Sequence, residues 1–166
     1  WLETCARMMC RAKPSVSISW MSPIGVPVVQ PYRNPRKFRI NTVVQDILLG
    51  HRDVDAPVAL ARQVQGLPPN VIHNYDGCHA LFTAIAMRLM GLLYAAVHDS
   101  YWTHLSHLET LGDVCREQFV LLHETPHLQN LHQEWSERYP EIELPPPPAP
   151  GSFDLNQVLE SPFFFA

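Results

Sequence analysis

The stretch "GLLYAAVHDSYWTH", residues 91–104, decides how this chain reads. Residues 92–97 are apolar or nearly so, His98, Asp99 and Ser100 follow in a row, and Tyr101, Trp102 and Thr103 are strong strand formers. The pattern predicts a strand over 92–97, a tight turn at 98–100 and a returning strand over 101–104. Asp99 then lies between two strand-like runs, close to an apolar interior where an ionised carboxylate is costly unless something compensates it. Two readings meet that requirement. Asp and Ser are common turn residues, so Asp99 can simply cap the turn. Alternatively it is a metal-ligating carboxylate held rigidly at a strand end. Mg²⁺ takes one or two carboxylates together with water and substrate phosphates, so such an Asp needs a second carboxylate from elsewhere. Asp76 is the nearest local candidate, although its place beside Gly77 suits helix capping.

Upstream lies "GLPPNVIHNYDGCHALFTAIAMRLMG". Pro68 and Pro69 exclude a helix at that point, Asn74 or Asp76 offers a cap, and residues 79–90 form a helix closed by Gly91. That helix is apolar on most faces, which predicts burial. His73 sits between the prolines and the helix. It is either a hydrogen-bonded loop histidine or a donor facing the same cleft as Asp99. Residues 15–32 read as a strand, a turn and a short edge segment broken by prolines, and residues 36–62 as a projecting hairpin with a polar tip.

Downstream, Leu108, Leu111, Val114, Cys115, Phe119 and Leu122 recur at three and four, marking an amphipathic helix. Thr125 and Pro126 start another, with Leu128, Leu131 and Trp135 on one face and Pro140 beyond its end. "PPPPAPG" (145–151) is a stiff connector. Asp154 with Gln157 forms a possible capping box before the apolar terminus. Helices and strands are mixed along the chain, so the fold class is α+β.

Composition narrows the function. The 166 residues suffice for one domain, and 46% hydrophobic content fits a folded protein. A net charge of -4 carries no global signal for nucleic acid, yet basic residues gather in "RMMCRAK" and "YRNPRKFR", where a local patch can act. The four cysteines include no CxxC pair, which argues against a zinc ribbon and for reduced thiols. The histidines lack zinc-ligand geometry: His98, His104 and His107 have no i,i+4 pairing on a helix, the first two lying across a turn and strand, and His123, His127 and His132 suit a solvated helix face. There is no Gly-rich phosphate loop and no GxSxG, and neither Ser100 nor Cys78 has a nucleophile's setting. No apolar run approaches a membrane span. The opening "WLETCARMMC", without an initiator Met and with Leu2, Cys5, Ala6 and Met9 on one helical face, reads as the middle of a helix. A fragment is expected.

Five stretches taken together carry a resemblance: "SPIGVPVVQPY", "PPNVIHNYDGCHALFTAIA", "AAVHDSYWTH", "CREQFVLLH" and "GSFDLNQVLESPFFFA". In this order they resemble the C-terminal portion of the single-subunit, phage-type RNA polymerases, the mitochondrial branch in particular. The resemblance implies a right-hand palm-and-fingers fold that copies DNA into RNA from ribonucleoside triphosphates with Mg²⁺. It implies that Asp99, in "HDS", is the palm Asp binding two Mg²⁺ ions. It makes His73 the histidine near the growing end of the nascent RNA, and His98 the residue preceding the metal Asp. Residues 92–104 become the palm hairpin. Residues 33–57 take the place of the specificity hairpin that enters the promoter major groove, with Arg36, Lys37 and Arg39 as phosphate contacts. Residues 145–151 become a connector, and 152–166, ending in "FFFA", the C-terminal foot.

DNA template and promoter, nascent RNA and mitochondrial transcription factors are the implied partners, and the mitochondrial matrix the implied location. The family's other metal Asp and its nucleotide-binding Lys and Tyr lie upstream of everything matched, so the isolated chain is expected to be inactive. Two other readings stay open: a non-catalytic nucleic-acid-binding or interaction module using 33–57, and a small metal-dependent hydrolase with a local carboxylate partner for Asp99.

Overall fold

A computed structural model describes residues 1–34, 36–51 and 56–164, without the side chains of Arg36 and His51. In chain order its elements are α1 (Leu2–Ala12), β1 (Ser19–Met21), β2 (Pro27–Val29), β3 (Arg36–Asn41), β4 (Asp46–His51), α2 (Leu60–Leu89), β5 (Ala95–Val97), β6 (Ser100–Trp102), α3 (Leu108–His123) and α4 (His127–Arg138). Single 3₁₀ turns occur at Leu105–His107 and Leu155–Val158. The strands pair as three two-stranded sheets, β1 with β2, β3 with β4 and β5 with β6. The class is α+β, as the sequence indicates. No helix among the described residues is long and apolar enough to cross a membrane.

The chain divides into two compact units. The first comprises Trp1–Trp20, Pro27–Asn70 and His132–Pro146, and the second Met21–Val26, Val71–Leu131 and Pro147–Ala166. In the first, the i, i+4 spacing of α1 buries Cys5, Ala6, Met9 and Cys10. Trp20, Trp135 and Tyr139 are its largest fully buried side chains. The Trp135 indole N–H donates to the Ser19 carbonyl at 3.0 Å, and Trp1 stacks on Trp135 at 6.0 Å. Lys13 sits over the Tyr139 ring and pairs with Glu141 at 3.2 Å.

Contrary to the sequence expectation, the helical assignment of α2 continues through Pro68 and Pro69, so Asn74 and Asp76 lie inside the helix and do not cap it. Each proline removes a donor that would bond a carbonyl one turn back, at a cost of about 3 kcal/mol. Tertiary contacts outweigh that local loss. Val64 and Leu67 are buried on the turns before the prolines. The Gln30 amide donates to the Gln63 side-chain oxygen, Gln63 Nε2 donates to the Gln30 backbone carbonyl, and Asn70 donates to Gln30 Oε1 at 3.0 Å, so the helix is held on both sides of the break. Gly66 leaves room for Tyr32, because a Cβ there would lie 2.7 Å from its ring.

In the second unit the predicted helix end holds. Gly91 adopts φ +72°, its N–H bonds the Arg88 carbonyl, and the Leu92 N–H reaches back to Met87 at 2.9 Å. Leu92 also packs against the buried cluster that contains Met87, as in a Schellman stop. Nothing else approaches the missing Cβ, so Gly91→Ala is expected to cost only the left-handed backbone penalty, about 1–2 kcal/mol. Amide hydrogen exchange at the end of α2 in the complete polypeptide measures this, and unchanged protection would contradict it.

The expectation of all-round burial does not hold. Cys78, His79, Thr83 and Met87 are buried, whereas Leu81, Ile85 and Leu89 form an exposed stripe, because the described neighbours cover one face of the helix only. Met87, Leu111, Val114 and Cys115 form the core, with Tyr94, Tyr101 and Phe164 packed on it. All four cysteines are free and buried.

Candidate active site

The pairing of Val97 with Ser100 leaves His98 and Asp99 as a two-residue hairpin loop. Such loops favour a positive φ because it matches the twist of the strands, and His98 supplies it at φ 54°, the only positive value outside glycine among the described residues. A histidine there is strained, which constrains the loop carrying Asp99. The hairpin is tied down beside it. Thr103 Oγ1 donates to the Leu93 carbonyl at 2.7 Å, and the Tyr94 hydroxyl to the Ala80 carbonyl at 3.3 Å. Tyr94 and Tyr101 pack edge to face at 5.4 Å.

Asp99 is exposed, and among the described residues no hydrogen bond or ion pair takes up its carboxylate. The expected burial is therefore absent: the short strands leave the turn exposed to solvent.

His73, Asp76, His98 and Asp99 line one cleft of about 690 Å³ within the second unit. His73 and Asp76 are one helical turn apart on α2, with His73 Nδ1 3.9 Å from the Asp76 carboxylate. Apart from Gly77, the remaining walls are aromatic side chains that the sequence does not single out as site residues: Tyr75, His79, Tyr101, Phe119, His123 and Phe164. His123 stacks on Phe119 at 4.0 Å and donates from Nδ1 to the Phe119 carbonyl, and Phe119 meets Phe164 edge to face. The Arg116 guanidinium bonds the Ser161 carbonyl at 2.9 Å, tying the C-terminal segment to α3. The i, i+4 relation of Phe119 and His123 was visible in sequence, but nothing there brought α3 to the Asp99 turn.

Burial tunes the floor of the cleft. His79 is 6% exposed, and desolvation holds its imidazole below the ordinary histidine value despite a hydrogen bond to the Cys115 carbonyl at 2.8 Å. Desolvation likewise pushes Tyr101 and Tyr75 up to about 12. The two phenols are therefore uncharged near pH 7. As a hard oxygen donor without a partner, Asp99 fits one ligand position of Mg²⁺. Among the described residues no three His, Cys, Asp or Glu side chains gather in a metal-ligating group.

In the first unit, β3 and β4 pair from Arg36 with His51 to Asn41 with Asp46. This register puts Lys37, Arg39, Asn41 and Asp46 on one face and Phe38, Ile40, Ile47 and Leu49 on the other. Arg39 forks onto Asp46, with Nε 2.6 Å from the carboxylate. The tip is not polar as expected: Thr42 and Gln45 close the turn through hydrogen bonds, and Val43 and Val44 stand fully exposed between them. The Arg36 side chain, residues 52–55 and the terminal Phe165 and Ala166 lie outside the described residues.

The model of a family described as DNA-dependent RNA polymerase matches residues 1–143. The chain is 44% identical over 165 residues to DNA-directed RNA polymerase 1, mitochondrial, of Nicotiana sylvestris, which covers 99% of this chain and 16% of that protein. DNA-directed RNA polymerase 2B, chloroplastic/mitochondrial, of Nicotiana tabacum is also 44% identical, with the same coverage of each. DNA-directed RNA polymerase 1A of Nicotiana tabacum is 45% identical over 148 residues, 89% of this chain and 94% of that one. The chain thus spans a small part of the first two relatives and nearly all of the third.

Proposed function

Because the chain belongs to the DNA-dependent RNA polymerase family, we propose that it serves as the C-terminal portion of a single-subunit enzyme that adds ribonucleoside triphosphates to RNA on a DNA template. The observation that carries the reading is the cleft in which the Asp99 turn and His73 meet. Residues 92–104 are the palm hairpin, and Asp99 is the carboxylate that binds metal. Two Mg²⁺ ions, held by Asp99 and a carboxylate outside this chain, would supply activation of the RNA 3′-hydroxyl and neutralisation of the leaving pyrophosphate. The strained His98 holds Asp99 at the rim of the cleft. His73 contacts the growing RNA end.

Residues 33–57 are the specificity hairpin that meets the promoter. Lys37 and Arg39 on one face support this as phosphate contacts, with Asp46 fixing the fork of Arg39, and Arg36 is the third phosphate contact proposed from the sequence. Residues 145–151 link this body to the 152–166 foot, a reading supported by Phe164 in the cleft wall. Mitochondrial transcription factors are the partners and the mitochondrial matrix the location, following the names of the relatives. The chloroplastic/mitochondrial relative makes the chloroplast the other compartment to examine.

Extension of a labelled RNA primer on a DNA template by the complete polypeptide tests this. EDTA should stop extension and Mg²⁺ restore it, and the 166 residues alone should yield no product. Extension that persists under chelation, or robust synthesis by the isolated chain, overturns the reading. DNA binding through 33–57 without any extension would favour the interaction module instead.

A further inference from the structure

We propose that His79 is a positioning residue for Asp99, acting through the hydroxyl of Tyr101. The inference rests on the reading of Asp99 as a metal ligand. Its starting point is the proton on the imidazole. His79 Nε2 lies 2.8 Å from the Cys115 carbonyl, which can only accept, so Nε2 carries the hydrogen. Nδ1 then presents a lone pair, and the Tyr101 hydroxyl, 3.4 Å away, donates to it. The backbone of α3 thus sets the tautomer, and the tautomer sets the direction of the tyrosine hydrogen bond.

A purely structural account leaves the choice of histidine unexplained. His79 shares the buried face of α2 with Cys78, Thr83 and Met87, where an apolar side chain would pack without the cost of burying an imidazole. What the histidine adds is an acceptor aimed at β6. Tyr101 follows Asp99 by two residues, and its neighbour Ser100 closes the turn by pairing with Val97. A hairpin with three-residue strands is marginal in water, so its orientation has to come from side chains that reach the core. Two do. Tyr94, just before β5, bonds the Ala80 carbonyl, and Tyr101, in β6, bonds His79, so the hairpin is fastened at both arms to consecutive residues of α2. Groups that orient a metal ligand in this way commonly change metal affinity by 10–100-fold when removed.

The test uses the complete polymerase on an RNA–DNA scaffold, with Mn²⁺ affinity read by electron paramagnetic resonance and melting temperature recorded for each variant. Tyr101→Phe deletes one oxygen and should weaken Mn²⁺ binding about tenfold. His79→Gln keeps a donor for Cys115 but lacks an acceptor at the Nδ1 position, and should match it. The double variant should be no worse than either single one, since both break the same link. His79→Asn, with its amide oxygen near the place of Nδ1, should recover most of the lost affinity. Unchanged Mn²⁺ affinity in Tyr101→Phe, or His79→Asn as damaging as His79→Gln, overturns the inference. Asp99→Asn separates the two levels. If it leaves Mn²⁺ binding and extension intact, the metal reading of Asp99 fails, and if it abolishes both while Tyr101→Phe changes nothing, only the role of His79 fails.

Discussion

Replacing Asp99 by asparagine in the complete polymerase is expected to slow nucleotide addition on the order of a thousandfold or more, with DNA binding largely intact. Metal-assisted charge neutralisation contributes several kcal/mol to the transition state, and each 1.36 kcal/mol is about tenfold in rate. Asparagine nearly matches aspartate in shape and is an equally good turn residue, so the His98–Asp99 loop should survive the change. That makes the substitution decisive between the two readings of the stretch. A carboxylate that merely caps the turn is replaceable by an amide, whereas a carboxylate that holds divalent cations is not. Single-turnover extension of a labelled RNA, alongside filter binding of the DNA template, measures both arms. Near-parental elongation would sink the metal assignment.

The largest structural effect is expected at Trp135. Its side chain is fully buried, stacked on Trp1 and bonded to Ser19, so Trp135→Ala removes a large apolar volume from a core that cannot readily collapse. The expected cost is about 3–5 kcal/mol, a large share of the roughly 5–15 kcal/mol that holds a typical domain together. Hydrogen exchange is the suitable probe, because global unfolding of a long polypeptide is rarely two-state. Protection in α1 and in residues 132–138 should fall by about a hundredfold or more. Trp135→Phe keeps most of the buried area, and the Ser19 carbonyl retains the Arg138 guanidinium as a donor at 2.8 Å. It should therefore cost only about 1 kcal/mol beyond the lost volume. Protection in these segments that does not respond to Trp135→Ala contradicts the packing described.

The legible parts of the fold are those whose cause lies within a turn or two of chain. The three- and four-residue spacing of α1 and α3, the Gly91 stop and the short turn at 98–100 all follow from local periodicity and turn chemistry. The readings that failed were local rules met by distant forces. Two prolines should end a helix, yet α2 continues because Gln30 and Tyr32, more than 30 residues earlier, hold its first turns. A hairpin tip should be polar, yet it exposes Val43 and Val44. Asp99 suggested a carboxylate in need of compensation, and three-residue strands leave it in water.

The site divides along the same line. Asp99, His98 and His73 could be proposed from sequence because their motifs are short and contiguous. Their shared cleft could not, since Phe119, His123 and Phe164 reach it from positions up to 91 residues beyond His73. By itself, the sequence determined the family, the helices with strong periodicity and the turn that presents Asp99, all set by neighbours along the chain. Only the tertiary structure decided that α2 passes its prolines, that His79 is buried with its proton on Nε2, and that an aromatic wall faces Asp99. Those outcomes depend on burial and hydrogen bonds between residues far apart in sequence, whose energies exceed the local preferences they override.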